Sequence, residues 1–595
     1  MDYRAPQNDM RFVLHEVLKV TDHYAQFGNE DPPSADLIDA VIEEGAKFCE
    51  QVLLPINRSG DEEGCRISDG VVSTPTGFKE AFDQFVENGW SGLTSATEYG
   101  GQGLPESVGV AIKEMIDSCN LSWGCYPLLS HGASEALKHH GEQWQRDAFL
   151  RPIVEGRWTG TMCLTEPHAG SDLGLLRTKA EAQADGSYAI TGTKIFITGG
   201  EQDLSENIVH LVLARMSDAP AGTKGISMFV VPKFKVDQQG QQGERNGVSC
   251  GSIEHKMGLK ASATCVMNFD GAQGWLIGPP NKGLNCMFTM MNTARLAVGI
   301  QGLGLIEITY QNALAYAKDR LQMRALSGAK APDKAADPII VHPDIRRMLL
   351  TQRAFAEGGR VLSYEAALLV DTSERHPDPE VRAQADQQLG ILTPIIKALL
   401  TEMAVECTYH GVQTLGGHGY IAEWGQEQLA RDARITTIYE GTTQIQALDL
   451  LGRKVMGGKG QALASLIEGV QRHCAAAHDH EPLKAAAARL QEIAEDWAAL
   501  TQETAKRAMA NADEIGAAAV DYLFLCGYIM VADALLRSAT VAQQAHIDAD
   551  TRAAKQALLN FYIDRILPRV GQHAASIRAG GHSLTDLPDA LFGTA

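Results

Sequence analysis

The chain has 595 residues, which is too long for one hydrophobic core, and its 45% hydrophobic and 21% charged residues are ordinary for a globular protein. Its formal net charge of −21 argues against unspecific attraction to nucleic acid or to anionic lipid. Eleven cysteines without a Cys-x-x-Cys pair, and histidines that do not cluster, indicate reduced thiols in the cytoplasm and argue against a disulfide framework or a metal site.

The beginning of the chain divides into an extension and a helical domain. Residues 1–34 are predicted as an N-terminal extension, and they lack the basic and then apolar pattern of a secretion signal. From residue 35 to 160, apolar residues recur at three- and four-residue spacing, which predicts an N-terminal helical domain. The Gly- and Pro-rich residues 100–105 interrupt this pattern and predict an exposed loop.

The apolar spacing shortens towards two in residues 161–282. Asp185 and Gly186 form a typical hairpin turn between two of the apolar stretches. The predicted strands are residues 178–184, 188–197, 208–216 and 226–234. Short strands joined by tight turns predict a small middle domain built as a β-barrel or sandwich.

Helical spacing returns after this segment and continues to the end of the chain. Residues 283–456 are predicted as a helical bundle, interrupted by a loop at residues 327–338. After a Gly-rich linker, residues 461–595 alternate apolar and charged faces, which predicts an additional C-terminal helical domain. The most apolar run, residues 522–532, is too short to span a bilayer, so we expect no integral membrane segment.

One glycine-rich stretch is a false lead. Residues 299–304 (GIQGLG) superficially resemble a dinucleotide-binding fingerprint, but they follow no predicted strand and lie within a helical pattern. We predict that these glycines serve helix–helix packing.

The strongest candidate for chemistry is Glu440, which lies within the sequence RITTIYEGTTQIQ at residues 434–446. Gly441 permits close backbone approach to a ligand, and Thr442 and Gln444 offer polar groups at a predicted helix start. A carboxylate held on such a turn is a candidate base. The alternative is an ordinary helix start without a catalytic role.

Four further motifs accompany Glu440 in a fixed order. They are MCLTEPHAGSD at residues 162–172, KIFITGG at 194–200, YAKDRLQM at 316–323 and QTLGGHGY at 413–420. Together with the Glu440 turn, these motifs resemble those of the acyl-CoA dehydrogenase family. Residues 3–6, 10–14, 99–105 and 255–258 are similar to its long bacterial subgroup, which includes broad-specificity acyl-CoA dehydrogenases and the dehydrogenase of 3-methylmercaptopropionyl-CoA.

The resemblance implies a fold and a reaction. The implied fold is the acyl-CoA dehydrogenase fold: an N-terminal helical domain, a middle β domain, a helical bundle and, in the long subgroup, an additional C-terminal helical domain. The implied reaction is FAD-dependent α,β-dehydrogenation of an acyl-CoA to the trans-2-enoyl-CoA, as in fatty acid β-oxidation. Glu440 would take the α-proton and the flavin N5 would accept the β-hydride. Electron-transfer flavoprotein is the implied electron acceptor.

The resemblance also implies site residues. Those expected to contact FAD are Met162, Leu164, Thr165, Gly170, Ser171, Phe196, Ile197, Thr198, Arg320, Gln322, Gln413, Gly416, Gly417, Thr442 and Gln444. Those expected to contact the substrate are Ser171, Asn292, Arg295 and Gly441.

Two of these positions depart from the family pattern, and five sites carry alternatives. For residues 165–171 the alternative is a solvent-exposed Gly loop, and for Arg320 it is a surface arginine at a helix end. Phe196 replaces the usual tryptophan and Asn292 the usual aspartate. Phe196 has the alternative of an ordinary core aromatic, and Arg295 that of a structural salt bridge. For Gln413 and the glycines that follow it, the alternative is a plain helix end.

The assembly and the electron acceptor have alternatives as well. In the family, the arginine and glutamine corresponding to Arg320 and Gln413 reach the FAD of a neighbouring subunit, which implies a homodimer. An acyl-CoA oxidase that uses O₂, and a DNA-associated flavoprotein of the same fold, are the competing functions. Neither the acyl-chain length nor the choice between a plain and a thioether acyl-CoA follows from the sequence.

Overall fold

The computed structural model describes residues 1–28 and 32–593. In chain order, the α-helices of these residues are α1 (Gln7–Arg11), α2 (Val20–Tyr24), α3 (Ala35–Phe48), α4 (Pro55–Glu63), α5 (Phe78–Glu87), α6 (Glu106–Cys119), α7 (Leu121–His140), α8 (Gln143–Gln145), α9 (Arg151–Val154), α10 (Gly283–Asp319), α11 (Pro343–Arg375), α12 (Pro379–Leu415), α13 (Gln426–Thr436), α14 (Thr443–Leu448), α15 (Gln461–His478), α16 (Lys484–Ala510), α17 (Asp513–Val541), α18 (Ala549–Arg565), α19 (Arg569–Ala579) and α20 (His582–Thr585). The β-strands are β1 (Arg66–Ser68), β2 (Val71–Ser73), β3 (Trp158–Cys163), β4 (Lys179–Ala182), β5 (Tyr188–Thr198), β6 (Asn207–Met216), β7 (Ile226–Pro232), β8 (Phe234–Val236), β9 (Gln242–Arg245), β10 (Val248–Ile253) and β11 (Thr264–Ile277).

The chain forms two compact units. The first comprises Met1–Glu43 and Val298–Ala595, and the second comprises Glu44–Ala297. The second unit contains all the strands named above, and the first contains helices α11 to α20, of which α11, α12, α16 and α17 are the longest. This order of helices, strands and helices is the predicted fold.

A closed ring of five strands forms the centre of the second unit. Strand β5 pairs with β4 and β11, β6 pairs with β4 and β7, and β7 pairs with β11. Strand β3 adds to the ring in parallel with β6, and β10 adds antiparallel to β11. Apolar residues such as Ile190, Val212 and Phe229 fill the core beside the strands. The predicted middle β domain is therefore confirmed, and of its two predicted forms, a barrel or a sandwich, the strand pairing shows the barrel.

Helix α7 supports the strands that carry the predicted flavin motifs. A Cβ atom on Gly160 of β3 would lie 2.4 Å from the Cβ of Ala133, so strand and helix make a close approach that only glycine allows. The Tyr126 hydroxyl of α7 accepts a hydrogen bond from the Ala263 N–H (2.9 Å), and Ala263 O accepts one from the Gly199 N–H (2.8 Å). Tyr126 and Ala263 thereby anchor the end of β5.

Helices α10 and α12 make a close approach in the first unit. A Cβ on Gly302 would lie 2.6 Å from the carbonyl oxygen of Leu400, and a Cβ on Gly299 would lie 2.7 Å from Ile396. Residues 299–304 therefore serve helix packing, as predicted. The contact matters for function because α12 also supports the turn that carries Glu440.

A buried ion-pair cluster fastens the N-terminal segment within the first unit. Asp9 of α1 binds both Arg360 of α11 and Lys555 of α18, and these cations also pair with Glu307 and Glu357 (both 2.7 Å). Burial raises the pKa of Asp9, but the Lys555 ammonium and the Arg360 guanidinium outweigh it and hold that pKa at about 2. Asp9 is therefore ionised at neutral pH.

Two helical stretches in the described part of the chain pass a length-and-composition test for membrane spans. They are Pro379–Tyr420 and Asp513–Val541, and 72% and 67% of their most apolar windows are buried. Core helices of soluble proteins pass the same test, so this is weak evidence for a span. The prediction that the chain has no membrane segment stays a prediction.

Candidate active site

The loop after β3 forms a tight turn that is tied to β5. Glu166 and Ala169 exchange two backbone hydrogen bonds, of 2.9 and 3.0 Å. The carbonyl oxygen of Thr165 accepts a hydrogen bond from the Ile195 N–H at 2.9 Å. The structure thus brings the first two predicted motifs, residues 162–172 and 194–200, into direct contact.

A buried ion pair holds these two motifs together. Lys194 of β5 is fully buried, and its ammonium donates to the carbonyl of Leu164 (3.0 Å) and to the carboxylate of Glu166 (2.9 Å). Glu166 also accepts from the N–H groups of Arg177 (2.7 Å) and Thr178 (3.0 Å). Burial raises the pKa of Glu166, but Lys194 and these donors outweigh it and lower it to about 2.

Sequence reasoning missed a role for Lys194 and Glu166. Both lie within the motifs of residues 162–172 and 194–200, beside the residues expected to touch the flavin. The available signal was the charge itself, because a lysine inside a predicted strand must find a partner if the strand is buried.

Phe196 is not an ordinary core aromatic. It lies at the end of β5, where Ile197 faces Cys265 but Lys194 faces Met267, so β5 carries one extra residue there. Its φ angle is +61°, and the residue is 59% exposed. A bulky side chain in the left-handed region costs free energy, and an apolar ring exposed to water does not offset that cost. A ligand that covers the ring would offset it by removing the ring from water.

The other predicted contacts of the second unit surround this strand end or lie on α10. Leu164 and Ile197 are buried; Met162, Thr165 and Thr198 are half-buried; Gly170 and Ser171 are exposed. On α10, Asn292 is exposed and Arg295 is buried one helical turn later. The half-buried threonines beside an exposed ring fit the edge and face of a flat, polar-rimmed cofactor.

Glu440 lies on a left-handed turn in the first unit. Its φ is +55° and that of Gly441 is +91°. A Cβ on Gly441 would lie 2.7 Å from Nε2 of Gln446, and this amide donates to the carbonyl of Glu440 at 3.0 Å. Thr442 caps α14 by accepting from the Ile445 N–H (3.3 Å). The left-handed backbone at 441 favours glycine, which agrees with the predicted glycine-marked turn, and the predicted close approach to a ligand stays a prediction.

Tyr439, the residue before Glu440, is held by a hydrogen bond to α10. The Tyr439 hydroxyl donates to Oε1 of Gln301 on α10 at 2.6 Å, and Gln301 is fully buried. Gln444, on the first turn of α14, is exposed. Both flanks of Glu440 thus have defined partners, while the half-buried Glu440 side chain keeps access to solvent.

The remaining predicted cofactor residues lie on two neighbouring segments of the first unit. The Tyr316 hydroxyl of α10 bonds to Nδ1 of His418 (2.8 Å), and His418 stacks on Trp424 at 4.6 Å. This contact joins the end of α10 to the turn after α12. The residues concerned are all exposed: Arg320, Gln322, Gln413, Gly416 and Gly417.

Comparison with known proteins decides the family. Four family profiles match successive parts of the chain: acyl-CoA dehydrogenase N-terminal domain (residues 38–157), middle domain (161–272) and C-terminal domain (281–456), and acetyl-CoA dehydrogenase C-terminal like (466–588). The chain belongs to the acyl-CoA dehydrogenase family. It is therefore an oxidoreductase of the acyl-CoA dehydrogenase type, and acyl-CoA dehydrogenases bind FAD.

Individual relatives of this acyl-CoA dehydrogenase cover nearly its whole length. It is 43% identical to the 3-methylmercaptopropionyl-CoA dehydrogenase of Ruegeria pomeroyi, over 98% of this chain and 99% of the relative. It is 35% identical to the broad-specificity linear acyl-CoA dehydrogenase FadE5 of Mycobacterium tuberculosis, over 99% and 100%. An acyl-CoA dehydrogenase from Bacillus anthracis, solved in complex with FAD, shares the fold with a TM-score of 0.75 and 20% identity, over 96% and 92%.

Proposed function

We propose that this protein is an FAD-dependent acyl-CoA dehydrogenase in which Glu440 removes the α-proton of an acyl-CoA thioester. Bound FAD supplies the acceptor for the β-hydride at its N5. Loss of the proton and the hydride forms the double bond of the trans-2-enoyl-CoA. The observation that carries the proposal is the carboxylate of Glu440, held on a strained, glycine-marked turn with partners on both flanks.

The turn gives Glu440 a fixed direction. Proton transfer from carbon needs the base within hydrogen-bond reach of the α-carbon, so a freely rotating carboxylate would react slowly. As the proton leaves, negative charge grows on the thioester oxygen and requires preorganised donors. We propose the Glu440 N–H and a ribityl hydroxyl of FAD as these donors, with Gly441, Asn292 and Arg295 in contact with the substrate.

The second unit supplies the binding groups for the flavin ring. Thr165 and Thr198 would donate to polar atoms on its edge, and the exposed ring of Phe196 would cover its face. Phenylalanine keeps the stacking surface but has no indole N–H, which removes one donor relative to tryptophan. Ser171 would contact the pyrophosphate and the CoA, and its exposure supports a role in ligand contact.

The proposed preferred substrate is a short thioether acyl-CoA of the 3-methylmercaptopropionyl-CoA type. The higher identity to the Ruegeria enzyme, over almost the whole of both chains, supports this choice. Unbranched acyl-CoAs are the second candidate, because the FadE5 relative is also aligned over its full length.

Turnover of a panel of acyl-CoAs with a dye acceptor tests the reaction and the substrate. We expect the highest kcat/KM for 3-methylmercaptopropionyl-CoA. We also expect that electron-transfer flavoprotein can replace the dye as the electron acceptor. In air without acceptor, the enzyme should form no peroxide at the turnover rate. Peroxide formed in step with the enoyl-CoA would assign an oxidase instead, and retardation of DNA in a salt-dependent manner would favour the DNA-associated alternative.

We further propose a cytoplasmic homodimer in which Arg320 and Gln413 of each subunit bind the FAD of the other. Their exposure at neighbouring segments supports such a role, since an exposed guanidinium is a ready donor to a phosphate. The surface beside them also exposes apolar side chains, which a second subunit would cover. They are Met323, Leu326, Tyr409, Tyr420, Ile421 and Trp424.

Replacing Arg320 with alanine should weaken FAD binding by about tenfold or more, since a hydrogen bond to a charged group contributes about 1.5–3 kcal/mol. The matched control is Arg347→Ala, because Arg347 is an exposed arginine on α11 that pairs with the exposed Asp344. FAD affinity and sedimentation are measured on the same samples. A monomer that binds FAD as tightly as the parent would contradict the shared site.

A further inference from the structure

The carbonyls of Glu440 and Gly441 both accept hydrogen bonds from side chains. Gln446 donates to the Glu440 carbonyl at 3.0 Å, and the ammonium of Lys397 donates to the Gly441 carbonyl at 2.8 Å. Lys397 lies in the middle of α12 and is fully buried. A charged group therefore contacts the backbone of the turn directly beside the proposed base.

Burying Lys397 at this place carries a free-energy cost. Removing an ammonium from water costs several kcal/mol in a real protein, and lysine is almost never fully buried unless it has partners. Methionine would fill much of the same volume without that cost. Packing alone thus does not explain a lysine at position 397. The need for a hydrogen-bond donor to the Gly441 carbonyl does explain it.

Helix α12 also binds the turn at Thr443, after Gly441. Glu402, five residues after Lys397 on α12, accepts a hydrogen bond from the hydroxyl of Thr443. Lys397 binds the carbonyl of Gly441, and Glu402 binds the side chain of Thr443. Helix α12 therefore contacts the turn on both sides of Thr442. Helix α10 packs closely against α12 where Gly302 meets Leu400. Leu400 lies between Lys397 and Glu402, so this packing supports the part of α12 that binds the turn.

We propose that Lys397 is a positioning residue for the Glu440 base. By binding the Gly441 carbonyl, its ammonium fixes the left-handed turn and thereby the direction of the Glu440 carboxylate. The inference rests on the proposed function of Glu440 and adds to it the group that sets its geometry. A base displaced by about 1 Å costs about 10²-fold in rate.

The test compares Lys397→Met with Lys555→Met in the full-length holoenzyme. Lys555 is a second buried lysine of the first unit, bound to Asp9 and Glu357 and not to the turn. The enzymes are mixed anaerobically with 3-methylmercaptopropionyl-CoA, or with butyryl-CoA if the parent oxidises it faster. Flavin bleaching gives the rate, the initial spectral change gives the substrate Kd, and thermal unfolding gives stability.

Lys397→Met should bleach about 10²-fold more slowly than the parent, with an unchanged substrate Kd. Lys555→Met should lose stability but bleach at the parental rate. This contrast separates positioning from a purely structural role, which would lower stability and leave the rate of bound enzyme unchanged. If Lys397→Met does not fold, Lys397→Leu takes its place, because leucine also removes the donor to the Gly441 carbonyl.

Glu440→Gln, measured in parallel, distinguishes the two hypotheses. If Lys397→Met or its substitute bleaches at the parental rate while Glu440→Gln does not, the role of Lys397 is overturned and the proposed base stands. If Lys397→Met and Lys555→Met slow bleaching equally, the effect is not specific to the turn, and the positioning role of Lys397 is overturned as well. If Glu440→Gln itself bleaches at the parental rate, the proposed function fails and the role of Lys397 fails with it.

Discussion

Glu440→Gln is expected to slow acyl-CoA oxidation by roughly 10²–10⁴-fold, the usual contribution of a general base. Glutamine keeps the size and shape of the side chain but has no carboxylate to accept the α-proton. FAD binding should survive, because the flavin-side groups and the α14 cap at Thr442 are unchanged. Anaerobic mixing with a good acyl-CoA should therefore perturb the flavin spectrum without bleaching it.

Glu468→Gln is the matched control for this substitution. Glu468 is an exposed glutamate on α15, so losing its charge should change neither the rate nor the spectrum. A Glu440→Gln variant that bleaches like the parent would show that another carboxylate is the base. Bleaching that fails together with substrate binding would instead indicate damage to the pocket.

The sequence was sufficient for the features that depend on neighbouring residues. Apolar spacing separated helical from strand segments, because a helix repeats every 3.6 residues and a strand every two. The turn at Gly441 was predictable because its backbone requirement is local to one glycine, with φ at +91°. Recognition of Glu440 depended on this turn together with the order of the motifs.

Long-range pairings gave no comparable signal. The parallel pairing of β3 with β6 joins strands more than forty residues apart, and Asp9 meets Lys555 across a separation of 546 residues. Local periodicity describes one element at a time, so neither contact could be inferred from it. The closure of the barrel and the buried ion-pair cluster therefore required the structure.

Individual side chains show the same division. Phe196 was assigned from its motif, but its exposure depends on an extra residue in β5 relative to β11, a property of the pair of strands. Lys397 lies in a helical stretch with no motif, and only the fold places it against the Gly441 carbonyl. The sequence thus offered candidates for the chemistry of the site, and their roles stay predictions, whereas it gave no signal for the groups that hold those candidates in place.

Lys194→Met is expected to destabilise the second unit by about 3–5 kcal/mol, the typical cost of removing one partner of a buried ion pair. The Glu166 carboxylate would stay buried without its cation, and the Leu164 carbonyl would lose a donor. Because this pair ties the Thr165 loop to β5, FAD should bind more weakly as well. Urea unfolding and FAD titration measure the two effects.

The double variant Lys194→Met with Glu166→Gln should recover part of the lost stability, since it leaves no unpaired charge in the interior. Lys235→Met is the control, because the Lys235–Glu244 pair is exposed and its loss should change stability little.

The pKa of Glu166, about 2 against an ordinary 4.5, adds a pH test. A lowered carboxyl pKa stabilises the folded state above pH 4.5, and this contribution is lost as the pH falls towards 2. The stability gap between the parent and Glu166→Gln should therefore narrow over that range, whereas a constant gap would show that the Glu166 charge does not stabilise the fold.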